Sequence, residues 1–264
     1  RQQPGDHRRG ASRNRLTTMR IVLPPSETKT PGGLEGSSLD WDQLVLPELG
    51  PVRQAIAADL VQLCGDEASA KKALGLGAKG DDWIAANREL LDSPVMPALE
   101  RYTGVLFDAL DAPSLDSNDR AYANQVVWLF SALFGPLRAY DPIPRYRLSF
   151  DSKLPGESLK SRWQAHSETI WAGEFTIDLR SEGYRALAPL PEGAGVFVKV
   201  VKDFDKAAAV GHANKATKGK LVRQLVTSRV TLTSTAELID WGRAAGWRFA
   251  EADSASGEIL LAVG

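Results

Sequence analysis

The sequence predicts an α/β fold, with α+β as the alternative: a single domain in which helices surround one mixed sheet. Three observations carry this. Short apolar and β-branched runs at Arg20–Leu23, Phe175–Asp178, Gly195–Val201, Trp247–Ala250 and Glu258–Val263 read as strands, and helical periodicity fills much of the rest. No internal repeat and no long linker divides the chain. Its 264 residues, 43% hydrophobic and 25% charged, are enough for one full core.

The elements follow in order. The first strand ends in Pro24-Pro25-Ser26-Glu27-Thr28-Lys29-Thr30-Pro31-Gly32-Gly33, a turn punctuated by proline and glycine. Residues 34–46 read as irregular. Helical spacing starts at Pro51 (Val52, Ile56, Leu60, Leu63) and Gly65 stops it. Helical patterns flank Leu74-Gly75-Leu76-Gly77, and further helices are expected over Asp82–Leu90 and Val95–Tyr102. Residues 103–110 fit a strand or a turn. A long apolar helix is expected over Asp119–Phe134, a dense loop over Gly135–Pro155 and a helix over Ser158–Trp171. Ala207–Thr227 reads as a basic helix interrupted around Gly211 and Gly219, and Thr235–Ala245 as an amphipathic one.

Charge and cysteine usage narrow the functional classes. The net charge is −1, yet residues 1–18 hold five arginines against Asp6, so the tail carries +4 and the remainder −5. A nucleic-acid role then requires a local basic face. Residues 1–18 read as a disordered basic tail or an upstream extension, with Met19 as the natural start and residues 19–264 as the domain. The tail lacks an apolar core, which argues against a secretory signal, and no apolar run is long enough to cross a bilayer. Cys64 stands alone, so no internal disulfide forms. Together these features predict a cytoplasmic protein.

Four segments offer chemistry. Ser26, Thr28 and Lys29 follow the first strand, where α/β sheets place ligands; a lysine with two hydroxyls suits phosphate or carboxylate, although the Walker pattern is missing. A solvated polar turn would look the same. Leu74-Gly75-Leu76-Gly77 has the helix-hairpin-helix pattern: Gly75 and Gly77 admit close backbone approach to a phosphate, and Lys79 adds charge, while Asp81 and Asp82 oppose it. Arg138, Arg145, Arg147 and Lys153 cluster with Tyr140 and Tyr146, suiting phosphate grip and stacking unless Asp141 and Asp151 neutralise them. Residues 206–229 hold Lys206, Lys215, Lys218, Lys220, Arg223 and Arg229 and no acidic residue, which favours an anionic partner over a plain solvated helix. His7, His166 and His212 are isolated, so no metal site and no cofactor are expected. Asp178 and Glu182 bracket Arg180 and Ser181 as a possible acid and base or as caps.

Leu133-Phe134-Gly135-Pro136-Leu137-Arg138 and Asp141-Pro142-Ile143-Pro144-Arg145-Tyr146-Arg147-Leu148 resemble the central signature of the YaaA peroxide-stress family. In order along the chain, Pro24–Lys29, Tyr102-Thr103-Gly104, Asp178–Tyr184, Asn214–Lys220 and Gly246–Phe249 are similar to its lesser motifs, so the resemblance spans Met19 to the C-terminus. It implies a cytosolic protein linked to hydrogen peroxide stress and limited free iron. It also implies DNA binding and one α/β domain with a basic cleft and a helix-hairpin-helix. No established reaction comes with it.

Two functions follow. The first is a nucleic-acid-binding stress protein whose contacts, mostly to double-stranded DNA backbone, come from the basic helix, the Arg-Tyr loop and the hairpin. The second is an enzyme for a nucleotide-like or other small anion. Ser26, Lys29, Tyr102, Arg138, Arg147, Ser181 and Lys215 would then meet in one cleft, with Arg138 and Arg147 as the clamp. Lys29, Tyr102, Ser181 and Glu182 are its candidate catalytic groups.

Overall fold

The computed structural model describes residues 19–78, 80–205, 211–252 and 257–263. The 1–18 tail, Lys79 and Lys206 lie outside them.

Seven strands form one sheet: β1 Arg20–Leu23, β3 Val127–Ser131, β4 Gly135–Arg138, β6 Thr176–Asp178, β7 Gly195–Val201, β8 Arg248–Glu251 and β9 Glu258–Ala262. Their order is β4-β3-β1-β6-β7-β9-β8, and the central five are parallel. Antiparallel β4 and β8 close the two edges. β2 Met96–Pro97 and β5 Pro142–Ile143 make a separate short ladder. The helices described are α1 Gly50–Leu63, α2 Glu67–Ala73, α3 Asp81–Arg88, α4 Ala98–Arg101, α5 Val105–Leu110, α6 Ser117–Val126, α7 Leu159–Gln164, α8 Ser167–Trp171, α9 Glu182–Leu187, α10 Gly211–Ser228 and α11 Thr235–Ala244. The α/β class therefore holds.

Several elements differ from expectation, each for a physical reason. The helix expected over Asp119–Phe134 stops at Val126, and Val127–Ser131 is strand β3, buried along its whole length. An apolar run buried on both faces has no alternation to reveal it as strand. The following segment is not all loop, because Gly135–Arg138 turns back antiparallel on β3. Gly135 makes that turn at φ +61, and a Cβ there would stand 2.4 Å from the Trp163 ring. Residues 105–110 are helix α5, begun at Gly104 with φ +107. Only Ala98–Arg101 of the expected 95–102 helix forms, since Met96–Pro97 pair with β5. Ser158–Trp171 divides into α7 and α8 around Ala165–His166. Finally, α10 runs through Gly219 unbroken. A Cβ at Gly219 would meet the Leu106 carbonyl at 2.2 Å, so this glycine is where α10 lies against α5, not a helix break.

The core contains charges held by backbone. Arg53, fully buried on α1, donates to the carbonyls of Val45 (2.7 Å), Phe134 (2.8 Å), Pro136 (2.9 Å) and Leu46 (3.1 Å). It fastens the irregular 45–46 segment to the β3–β4 turn. Replacing it strands four carbonyls, so Arg53→Met is expected to lower stability by about 3–5 kcal/mol. Urea denaturation reads this directly, and a loss below about 1 kcal/mol would contradict the role.

Candidate ligand cavity at the strand ends

The chain leaves β1 toward β3 on one side of the sheet, and β6 returns on the other. The carboxyl ends of β1 and β6 therefore form a topological switch point, the place where open α/β sheets take ligands. Val22 and Asp178 are in register there, and the Leu179 amide donates to the Val22 carbonyl at 2.8 Å. A cavity of about 810 Å³ opens between the two strand-end loops, the amino end of α5, the face of β7 and helix α10.

The loop after β1 supplies hydroxyls. Ser26 Oγ and Thr28 Oγ1 are 3.2 Å apart, and Thr103 donates to Thr28 Oγ1 at 2.9 Å. All three line the cavity. Gly104 faces them at positive φ, where a Cβ would stand 3.6 Å from Ser26 Oγ. Lys29 holds this loop from behind. Its Nζ donates to the carbonyls of Ser26 (2.8 Å) and Glu27 (3.3 Å) and lies 4.3 Å from the Tyr146 ring centroid. Burial, then the Arg147 guanidinium, hold this ammonium well below the ordinary lysine range, with Glu27 opposing.

The loop after β6 is fixed by an ion pair with no solvent exposure. Asp178 accepts Arg180 Nη2 at 2.7 Å and Nε at 2.9 Å. Arg180 also donates to the Ala188 carbonyl at 3.0 Å and lies over the Trp171 and Phe130 rings. This sets Ser181 at the start of α9, where its side chain makes no capping bond. Glu182 also lines the cavity, although its side chain is mostly exposed and Arg185 is 3.7 Å away.

Helix α10 brings the amines. Lys215 is exposed and Lys218 buried, and both line the cavity. Lys218 Nζ approaches the Arg180 carbonyl at 3.4 Å. Burial pushes its ammonium down to about 8, against the pull of Asp178 and Glu182. Pro25, Val105, Phe107, Tyr184 and Phe197 give the remaining wall an apolar and aromatic character. A mostly apolar pocket with a few convergent polar groups suits a small molecule with one anionic end.

The residues expected to meet in one cleft divide. Ser26, Ser181, Glu182, Lys215 and Lys218 line the cavity, whereas Lys29, Tyr102, Arg138 and Arg147 do not. Tyr102 is buried with its hydroxyl 2.7 Å from that of Tyr146, and burial raises its pKa. Arg138 pairs in register with Trp128, toward the amino end of β3 and away from the strand-end cavity, because β4 runs antiparallel. Arg145 stacks on Trp83 at 4.0 Å, and Arg147 binds Glu27 at 2.9 Å. The Arg138–Arg147 clamp is therefore not formed. Arg223 donates to the Leu110 and Asp111 carbonyls at the end of α5, and Lys220 is exposed away from the cavity. Gly75 has φ +62 and lines a second, smaller cavity, while Gly77 lines neither. Sequence reasoning overlooked Thr103, Tyr184, Lys199 and Asn214 as lining residues; Thr103 and Asn214 each adjoin a residue it did nominate. Among the described residues no group of three histidine, cysteine or carboxylate side chains is placed to hold a metal, and no helix is long and apolar enough to cross a membrane.

The fold and cavity define the class: an α/β protein with a ligand-sized crevice at its sheet's switch point. A family model described as peroxide stress protein YaaA matches residues 19–253. The chain belongs to that family. It is similar to a UPF0246 protein of Corynebacterium efficiens, 43% identical over 235 residues that cover 86% of this chain and 93% of the relative. A UPF0246 protein of Streptomyces coelicolor is 40% identical over 250 residues, covering 90% and 95%. One from Lactobacillus delbrueckii is 28% identical over 243 residues, covering 86% and 93%.

Proposed function

We propose that this member of the peroxide-stress family binds a small nucleotide-like anion in the strand-end cavity, with Lys215 and Lys218 on the anionic group and the apolar wall on the ring. The observation that carries this is the pairing of buried Lys218 and exposed Lys215, one turn apart on α10, with a largely apolar pocket at the switch point. Ser26, Thr28, Thr103 and Ser181 bring aliphatic hydroxyls to that pocket, suited to sugar or phosphate oxygens. If a reaction follows, Lys218 is the group best suited to move a proton, because burial pushes its amine down to about 8.

Nucleic-acid binding is the second reading. Its support is that Lys215 and Lys220 are exposed on α10 and pair with no described carboxylate. One titration series separates the two. Nucleoside monophosphates are expected to stabilise the protein in a thermal-shift assay, and Lys215→Gln to weaken them roughly tenfold. No mononucleotide binding, with duplex DNA held on a steep salt slope by fluorescence anisotropy, would replace the first reading with the second.

A further inference from the structure

A second cavity, of about 490 Å³, adjoins the first. Glu27 lines both, and its ion pair with Arg147 stands at their boundary. Beyond it the walls carry Lys72, Arg147 and Lys153. Lys72 and Lys153 are exposed and pair with no described carboxylate, while Arg147 keeps a buried Nε without a hydrogen-bond partner. Asp151 opposes them but already accepts the Ser149 hydroxyl at 2.6 Å. The Lys153 amide donates to the Ala73 carbonyl at 3.1 Å, so the turn after α2 and the 149–153 segment form one wall.

An aromatic ring links the two cavities. Phe150 is 41% exposed, a large hydrophobic side chain that the core does not take in. It packs edge-on to Tyr184, a wall residue of the first cavity, at 5.3 Å. It also occupies the space a Cβ on Gly183 would need, 2.4 Å away. Its sequence neighbours Ser149 and Asp151 line the second cavity. Phe150 itself lines neither cavity; its contact with Tyr184 ties a wall of the first to the 149–151 segment that walls the second.

We propose that the two cavities act as one bipartite site for a ligand with two anionic groups joined through a sugar. One group sits on Lys215 and Lys218, the other on Lys72, Arg147 and Lys153, with the base on the apolar wall of the first cavity. A nucleoside carrying a phosphate at each end of its sugar has this layout. The inference rests on the reading of the first cavity and adds its ligand class.

Isothermal titration with three probes tests it: adenosine 5′-monophosphate, adenosine 3′,5′-bisphosphate, and a dinucleotide phosphorylated at both ends. At least one doubly phosphorylated probe is expected to bind tenfold or more tightly than the monophosphate. In Lys72→Gln/Lys153→Gln that advantage should fall below threefold while monophosphate affinity stays unchanged, which also shows that the variant is folded. Equal affinity for all three probes, or an advantage that survives the double substitution, overturns the bipartite site alone. Failure of the monophosphate to bind wild-type protein overturns the first cavity's assignment and this extension with it.

Discussion

Lys218→Met is expected to make the protein more stable and to weaken binding of the proposed nucleotide. The amine is 6% exposed, and burial pushes it down to about 8 from an ordinary 10.5. Between those values the unfolded chain binds more protons than the folded one, so the charge penalty is fully present below pH 8 and fades as pH rises through 10.5. Methionine has similar length and no charge. It is expected to raise the unfolding free energy by about 1–3 kcal/mol at pH 7, with the gain vanishing above about pH 10.5. The same substitution removes a charge-assisted contact to the anion and should weaken nucleotide binding roughly tenfold to hundredfold. Wild-type affinity should itself decline about fivefold between pH 8 and 9 as the amine loses its proton. Denaturation and titration over a pH series read both effects. A destabilised variant that binds normally would make Lys218 an ordinary structural residue.

Asp178→Ala lowers stability by about 3–5 kcal/mol. Both members of the Asp178–Arg180 pair are fully buried, and the substitution leaves a guanidinium with no anion among Phe130, Trp171 and backbone carbonyls. Arg180 also lines the cavity, so its release displaces Ser181 and Glu182 and weakens nucleotide binding along with stability. Replacing both partners, as in Asp178→Leu/Arg180→Met, should restore most of the lost stability, because the expense lies in the unpaired charge and not in the missing pair. Urea denaturation of the single and double variants measures this. A single variant within 1 kcal/mol of wild type, or a double variant no better than the single, would contradict the account.

The contrast between these residues shows what was legible in the sequence. Strands with short β-branched runs, such as Gly195–Val201, were readable because turns bound them. Strand β3 was not, since Val127–Ser131 follows helix α6 without a break and is buried on both sides. Ser26 and Ser181 were legible as cavity residues because both follow strands whose carboxyl ends meet at the switch point. Lys215 and Lys218 stood out as amines three residues apart on one helix, though nothing local distinguished the buried one from the exposed one. That difference comes from Gly219, which draws α10 down onto α5. Arg138 and Arg147 are close in sequence, but the antiparallel return of β4 sends the first toward the amino end of β3. Lys29 has the composition of a ligand residue, yet its amine satisfies two carbonyls of its own loop. Direction of chain and of side chain both depend on tertiary contacts that composition does not encode.

The most direct measurement is a crystal structure of the protein with a nucleoside monophosphate. The phosphate is expected within hydrogen-bond distance of Lys218 and Lys215, with the base against the apolar wall of the strand-end cavity. A phosphate bound beside Arg138, toward the amino end of β3, or an empty cavity at saturating nucleotide, would contradict the assignment.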